Sequence, residues 1–171
     1  MKKIIDSNFP NYLAAYISLV PSDNCIDAMQ ENLTTFVSFI ENNVPLEKSN
    51  YKYQEDKWTI KDLIRHIIDA ERIFAYRALR FARFDTTPLS GFEENDYVAN
   101  VATNSVEILD LLEEFILVRK STIKLFESFS PEMLAAKGIA SGNEISVLAI
   151  GFIISGHTIH HQNVITERYL K

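Results

Sequence analysis

Thr59-Ile60-Lys61-Asp62-Leu63-Ile64-Arg65-His66-Ile67-Ile68-Asp69-Ala70-Glu71-Arg72-Ile73-Phe74 is the stretch on which the fold of this 171-residue chain turns. It opens with a capping-box pattern, in which the Thr59 hydroxyl accepts the Asp62 backbone N–H and the Asp62 carboxylate accepts that of Thr59. Leu63, Ile64, Ile67, Phe74 and Ala78 then fall on one side of a helix running to about Arg83. Two polar residues interrupt that side. Glu71 lies inside the apolar arc, and His66 lies at its edge beside Leu63, Ala70 and Ile73.

The pattern repeats on both sides of this segment. Upstream, Ile26, Met29, Leu33, Phe36 and Ile40 recur at three- and four-residue steps, in a helix that begins near Ser22 or Asp23 and ends before Pro45. Downstream, Asn104 and Glu107 make another capping-type pair ahead of a helix that continues to Phe129. Ser130-Pro131 reads as a cap and first turn of a short helix stopped by Gly138, and a last helix runs from about Ser146 to Tyr169. Only five Gly and five Pro punctuate the chain, which disfavours a many-turned sheet protein. The expectation is an all-α four-helix bundle forming one domain over 1–171, with the long loop from Phe84 to Thr103 as a crossover or lid.

Composition narrows the function. A formal net charge of −6 argues against a nucleic-acid partner, which would require clustered Lys and Arg to release phosphate counterions. The longest apolar run, Ile145 to Gly156, is too short to span a membrane. No apolar run follows the two lysines near the N-terminus, so no signal peptide is expected and the cytoplasm is the default location. The lone Cys25 excludes an intrachain disulfide and reads as a packing residue near a helix start.

The four histidines carry the chemical signal: His66 alone, then His157, His160 and His161 on the last helix. Residues four apart project from one helix face, so His157 and His161 are placed like two ligands of one metal. That face also carries Ile150, Ile153, Ile154 and Val164, so His157 points into the core, where its ring nitrogens need partners. A catalytic zinc site ordinarily uses three protein ligands, and His66 is the histidine on another helix. The competing reading is a set of core histidines bonded to backbone or carboxylates. His160 could replace His161, support a ligand, or face solvent.

Lys57-Trp58-Thr59-Ile60-Lys61-Asp62-Leu63-Ile64-Arg65-His66 and its continuation to Phe74 resemble the DinB-like superfamily, and within it the YfiT-type metal-dependent hydrolases. Tyr76-Arg77-Ala78-Leu79-Arg80, Pro88-Leu89-Ser90-Gly91-Phe92, Val118-Arg119 and Gly156-His157-Thr158-Ile159-His160-His161 follow in the family's order. The resemblance implies a four-helix bundle with His66, His157 and His161 as ligands of a divalent transition metal, zinc or nickel most often. It also implies activity on a small molecule. Relatives include low-molecular-weight thiol S-transferases such as bacillithiol transferases. Thr158 departs from the pattern, since many relatives carry Glu there.

The functional expectation is therefore a metal-dependent enzyme, foremost a thiol S-transferase with a low-molecular-weight thiol as partner. A metal-dependent hydrolase and a non-catalytic metal-binding stress protein are the alternatives. Arg119 falls near the centre of the third helix's apolar arc, so it and Glu71 are candidates to pair in the core. Arg77 and Arg80 share the His66 side of their helix and could receive an anionic substrate at the pocket mouth. Leu148, Phe152 and Ile159 make the last helix apolar on its far side too. Either Phe9, Tyr12, Leu13 and Tyr16 cover that side or a second copy does, and a homodimer is favoured.

Overall fold

A computed structural model describes residues 11–171. Helix α1 spans Asn11–Leu19, α2 Cys25–Asn43, α3 Ile60–Ala82 and α4 Glu94–Ala99. After these come α5 (Ile108–Glu127), the short α6 (Pro131–Ala135), strands β1 (Lys137–Ala140) and β2 (Asn143–Ser146), and α7 (Val147–Val164). A π-helical turn, Ile165–Tyr169, extends α7.

The capping box at the start of α3 forms as read: Thr59 and Asp62 exchange hydrogen bonds of 3.0 Å each way. Asn24, rather than Ser22 or Asp23, caps α2. The Asn104–Glu107 pair does not cap α5. Asn104 belongs to a 3-10 turn, and Glu107 precedes α5 without a side-chain cap bond.

Helices α2, α3, α5 and α7 make the bundle in the ring order α2, α7, α3, α5. Side-chain pairing fixes their directions. Arg65 bonds Glu114 and Glu71 bonds Arg119, so α3 and α5 run parallel. Phe36 meets Phe115 edge to face while Asn32 bonds Arg119, so α2 and α5 run antiparallel. Cys25 lies against Gly151, and Asn32 and Thr158 share Arg119, so α2 and α7 run parallel. The result is an up-down-down-up bundle. Two consecutive parallel helices oblige the chain between them to return along the bundle, a distance of about 30 Å for a 20-residue helix. The long segment after α3 makes that crossover and carries α4 on the way.

The hairpin departs from the sequence expectation. Gly138 does not stop α6, which ends at Ala135, but lies within β1. A Cβ at Gly138 would come within 2.1 Å of the Phe81 ring, so glycine lets the strand lie on α3. Ala140 pairs with Asn143 across a two-residue turn, and both turn residues, Ser141 and Gly142, have positive φ as a tight hairpin requires. Leu89 joins the crossover to this hairpin through bonds with the Ile139 carbonyl and the Ser141 N–H.

Nearly every residue of α7 from Val147 to Thr158 is buried, because α1, α2 and α3 surround it. Helix α1 approaches closely at Gly156, where a Cβ would lie 2.0 Å from the Tyr16 carbonyl oxygen. Leu148, Phe152 and the partly buried Ile159 share one apolar cluster with Leu13 and Ile17 of α1. That side of α7 is covered within one chain and needs no second copy to bury it; Phe9 lies outside the described residues. No helix among the described residues is long and apolar enough to cross a membrane.

Candidate metal centre

His66 lies in the second turn of α3, and His157 and His161 lie one turn apart near the end of α7. The facing of α3 and α7 brings the three rings together. Nε2 of His157 is 3.0 Å from Nε2 of His66 and 3.0 Å from Nε2 of His161. One ring nitrogen from each residue falls within 4.8 Å of the other two.

Hydrogen bonding among the rings does not account for this cluster. A neutral imidazole nitrogen is either a donor or an acceptor, so His157 Nε2 can make one good bond and not two. Protonation is opposed as well. Burial, and then the charge of His160, push His66 down to about 4. Burial first, then the neighbouring histidines, hold His157 and His161 well below the usual imidazole range. In the tautomers that leave the converging nitrogens unprotonated, three neutral rings offer the donor set a divalent transition metal accepts. Nδ1 of His161 is buried without a hydrogen-bond partner among the described residues, so no protein acceptor fixes its tautomer.

The cluster opens on a cavity of about 240 Å³ to which His66 and His157 contribute. Ala70, Phe74 and Ile150 give it apolar walls, and Tyr12 and Tyr16 of α1 close one side. Phe92 and Glu94 of the crossover complete the rim. His161 instead lines a second depression, bounded by Tyr53, Trp58 and Asn95.

Residues 27–165 match the DinB superfamily. The chain belongs to that superfamily. A solved structure similar to it is that of YfiT from Bacillus subtilis, described as a probable metal-dependent hydrolase with an unusual four-helix bundle topology. The two superpose with a TM-score of 0.71 at 13% identity, over 96% of this chain and 90% of that one. This likeness extends the superfamily assignment to the fold, including the bundle expected from sequence. No curated protein matches the chain.

The Thr158 hydroxyl accepts from Nη2 of Arg119 at 3.0 Å and donates to the Ile154 carbonyl. Arg119 is wholly buried. Its Nε donates to both Glu71 oxygens at 2.8 and 3.0 Å, and its Nη1 to Asn32 Oδ1 at 2.6 Å. One guanidinium thus ties all four bundle helices together, and the Arg119–Glu71 pair read from the sequence is present.

The remaining expectations separate. Arg77 reaches the cavity, whereas Arg80 is held on the surface by Asp85 and Tyr76. His160 stays outside the three-ring cluster, half-buried against Tyr16. Cys25 is buried, and burial raises its thiol pKa, in keeping with a packing role.

Sequence reasoning missed Tyr16 and Trp58. The Tyr16 ring stands edge-on to His157 at 5.4 Å, and Trp58 lies 5.0 Å from His66. Trp58 directly precedes the α3 cap and carried a local signal. Tyr16 was read only as a residue that could cover the far side of the last helix, since its place beside His157 depends on where α1 packs.

Proposed function

We propose that His66, His157 and His161 bind one divalent transition metal, zinc or nickel, and that the protein is a metal-dependent enzyme transferring a low-molecular-weight thiol to a small electrophile. The observation that carries this reading is the meeting of three buried neutral imidazoles at the end of a substrate-sized cavity, with nitrogens that cannot satisfy one another. Three protein ligands leave a position open, whereas structural zinc is usually closed by four. When bound, the metal would supply a Lewis acid that holds a thiol in its deprotonated form or acidifies a water.

The chain's own groups suit that division of labour. Ala70, Phe74 and Ile150 limit water beside the reacting end. Tyr16, whose phenol burial raises above its usual range, stays protonated and can donate a hydrogen bond into the cavity. Glu71 is committed to Arg119 and is not free to act as a base.

Hydrolysis is the second reading, favoured by the likeness to YfiT. It would use the same open position without a thiol. The test supplies metal-loaded protein with a haloaromatic or epoxide, with and without small thiols, and with ester and amide substrates in parallel. Turnover that requires both metal and thiol, and is lost in His157→Ala, is the expected result. Thiol-independent ester or amide cleavage would replace it with the hydrolase, and inactivity on both panels would leave a non-catalytic metal-binding protein.

A further inference from the structure

Arg77 lies about three turns beyond His66 on the same helical stripe: His66, Ala70, Phe74 and Arg77 follow steps of four, four and three residues on α3. Its side chain is more than nine-tenths buried and lines the same cavity as His66 and His157. Nη2 donates to the Ser90 carbonyl at 2.9 Å and to Ser141 Oγ at 3.0 Å. Both acceptors are neutral, and the guanidinium makes no ion pair among the described residues. Glu94, the carboxylate on the cavity rim, makes none with it.

A guanidinium has five N–H donors, and only those on Nη2 are used here. A clip joining the crossover to the hairpin would need no charge, and a buried charge without a counterion is costly. Neutral imidazoles at the other end of the cavity contribute no compensating anion. Nε and Nη1 keep accessible surface rather than being sealed in protein, and Arg77 lines the cavity.

We propose that Arg77 is the receptor for a substrate carboxylate, so that the substrate is an extended small molecule, carboxylate at one end and reactive at the other. This rests on the reading of the cavity as the substrate site. With Nη2 occupied, the Nε–H and Nη1–H donors remain, and each offers a carboxylate oxygen a charge-assisted hydrogen bond. Along α3, Arg77 and His66 are separated by about 16 Å of helix axis, shortened by the reach of both side chains. Ala70, Phe74 and Ile150 line the space between, so the middle of the substrate is apolar.

The test titrates the full-length chain, without metal, with octanoate and with its neutral counterpart octanamide, by calorimetry and by the Arg77 Nε–H resonance. Octanoate should bind at least about tenfold more tightly, the usual advantage of a hydrogen bond to a charged group. The Arg77 resonance should shift with octanoate alone, and Arg77→Gln should bring the two affinities together. Equal affinity, absence of octanoate binding, or an unmoved Arg77 resonance overturns the proposal. If Arg77→Gln does not fold, the ligand comparison and the resonance decide the matter on the unaltered protein. Because no metal is present, failure of the three-histidine site leaves this result standing, and the reverse also holds.

Discussion

Two polar clusters are buried in the bundle, and they are built on opposite principles. Around Arg119, unlike groups are matched: the guanidinium is met by a carboxylate, an amide oxygen and a hydroxyl from three other helices. Around His157, three rings of one kind confront each other, and their nitrogens cannot all be donors to one another. The first cluster matches its charges within the protein, with only the Asn32 amide nitrogen left unpaired, and is suited to holding helices together. The second gathers like groups with no opposite charge among them, and it lies beside the cavity.

The largest effect should come from breaking the closed cluster. Arg119→Ala orphans Glu71 and is expected to lower stability by roughly 3–5 kcal/mol, measured by urea denaturation. Replacing both charges, as Arg119→Met with Glu71→Leu, should recover much of that loss, because no uncompensated charge remains. A loss near zero for Arg119→Ala would erase the contrast between the clusters.

The open cluster should show itself through acid. Unfolded histidine titrates near about 6.5, and His66 is pushed down to about 4, so the unfolded chain binds more protons between these values. Stability of the metal-free protein is therefore fully present above about pH 6.5 and falls as pH drops toward 4. His66 alone would account for about 3 kcal/mol, with His157 and His161 acting in the same direction. Replacing all three with Gln should flatten that slope; an unchanged slope would assign the acid sensitivity to carboxylates elsewhere.

The smallest effect is expected where charge is paired but wet. Glu114 meets Arg65 and Arg72 at 2.8 Å each on the outer faces of α3 and α5, with its side chain 30% exposed. Glu114→Gln should cost less than about 1 kcal/mol in the same denaturation experiment. A loss matching that of Arg119→Ala would mean that pairing across α3 and α5, rather than desolvation, sets the scale.

Much of this architecture was legible in the chain because helical periodicity is local. The three- and four-residue steps of Leu63, Ile67 and Phe74, and the Thr59–Asp62 cap, depend on neighbours within one or two turns. The same arithmetic placed Glu71, Arg119 and His157 on inward faces, where the structure has them. The hairpin was not legible. Its strands have four residues each, too few for an alternating pattern, and Ser141-Gly142 is a weaker turn signal than Asn-Gly.

By itself, then, the sequence determined which residues turn inward on each helix, since that follows from 3.6 residues per turn and the aversion of apolar groups to water. It also determined that few groups in the core could do chemistry. Only the tertiary structure decided which inward groups meet. The antiparallel contact of α3 and α7 brings His66 to His157 and His161, and the parallel run of α3 and α5 brings Glu71 to Arg119. Packing of α1 at Gly156 sets Tyr16 over the cluster, and the hairpin turn carries Ser141 to Arg77. Those meetings join residues tens of positions apart, and they depend on helix order and direction, which no local spacing encodes.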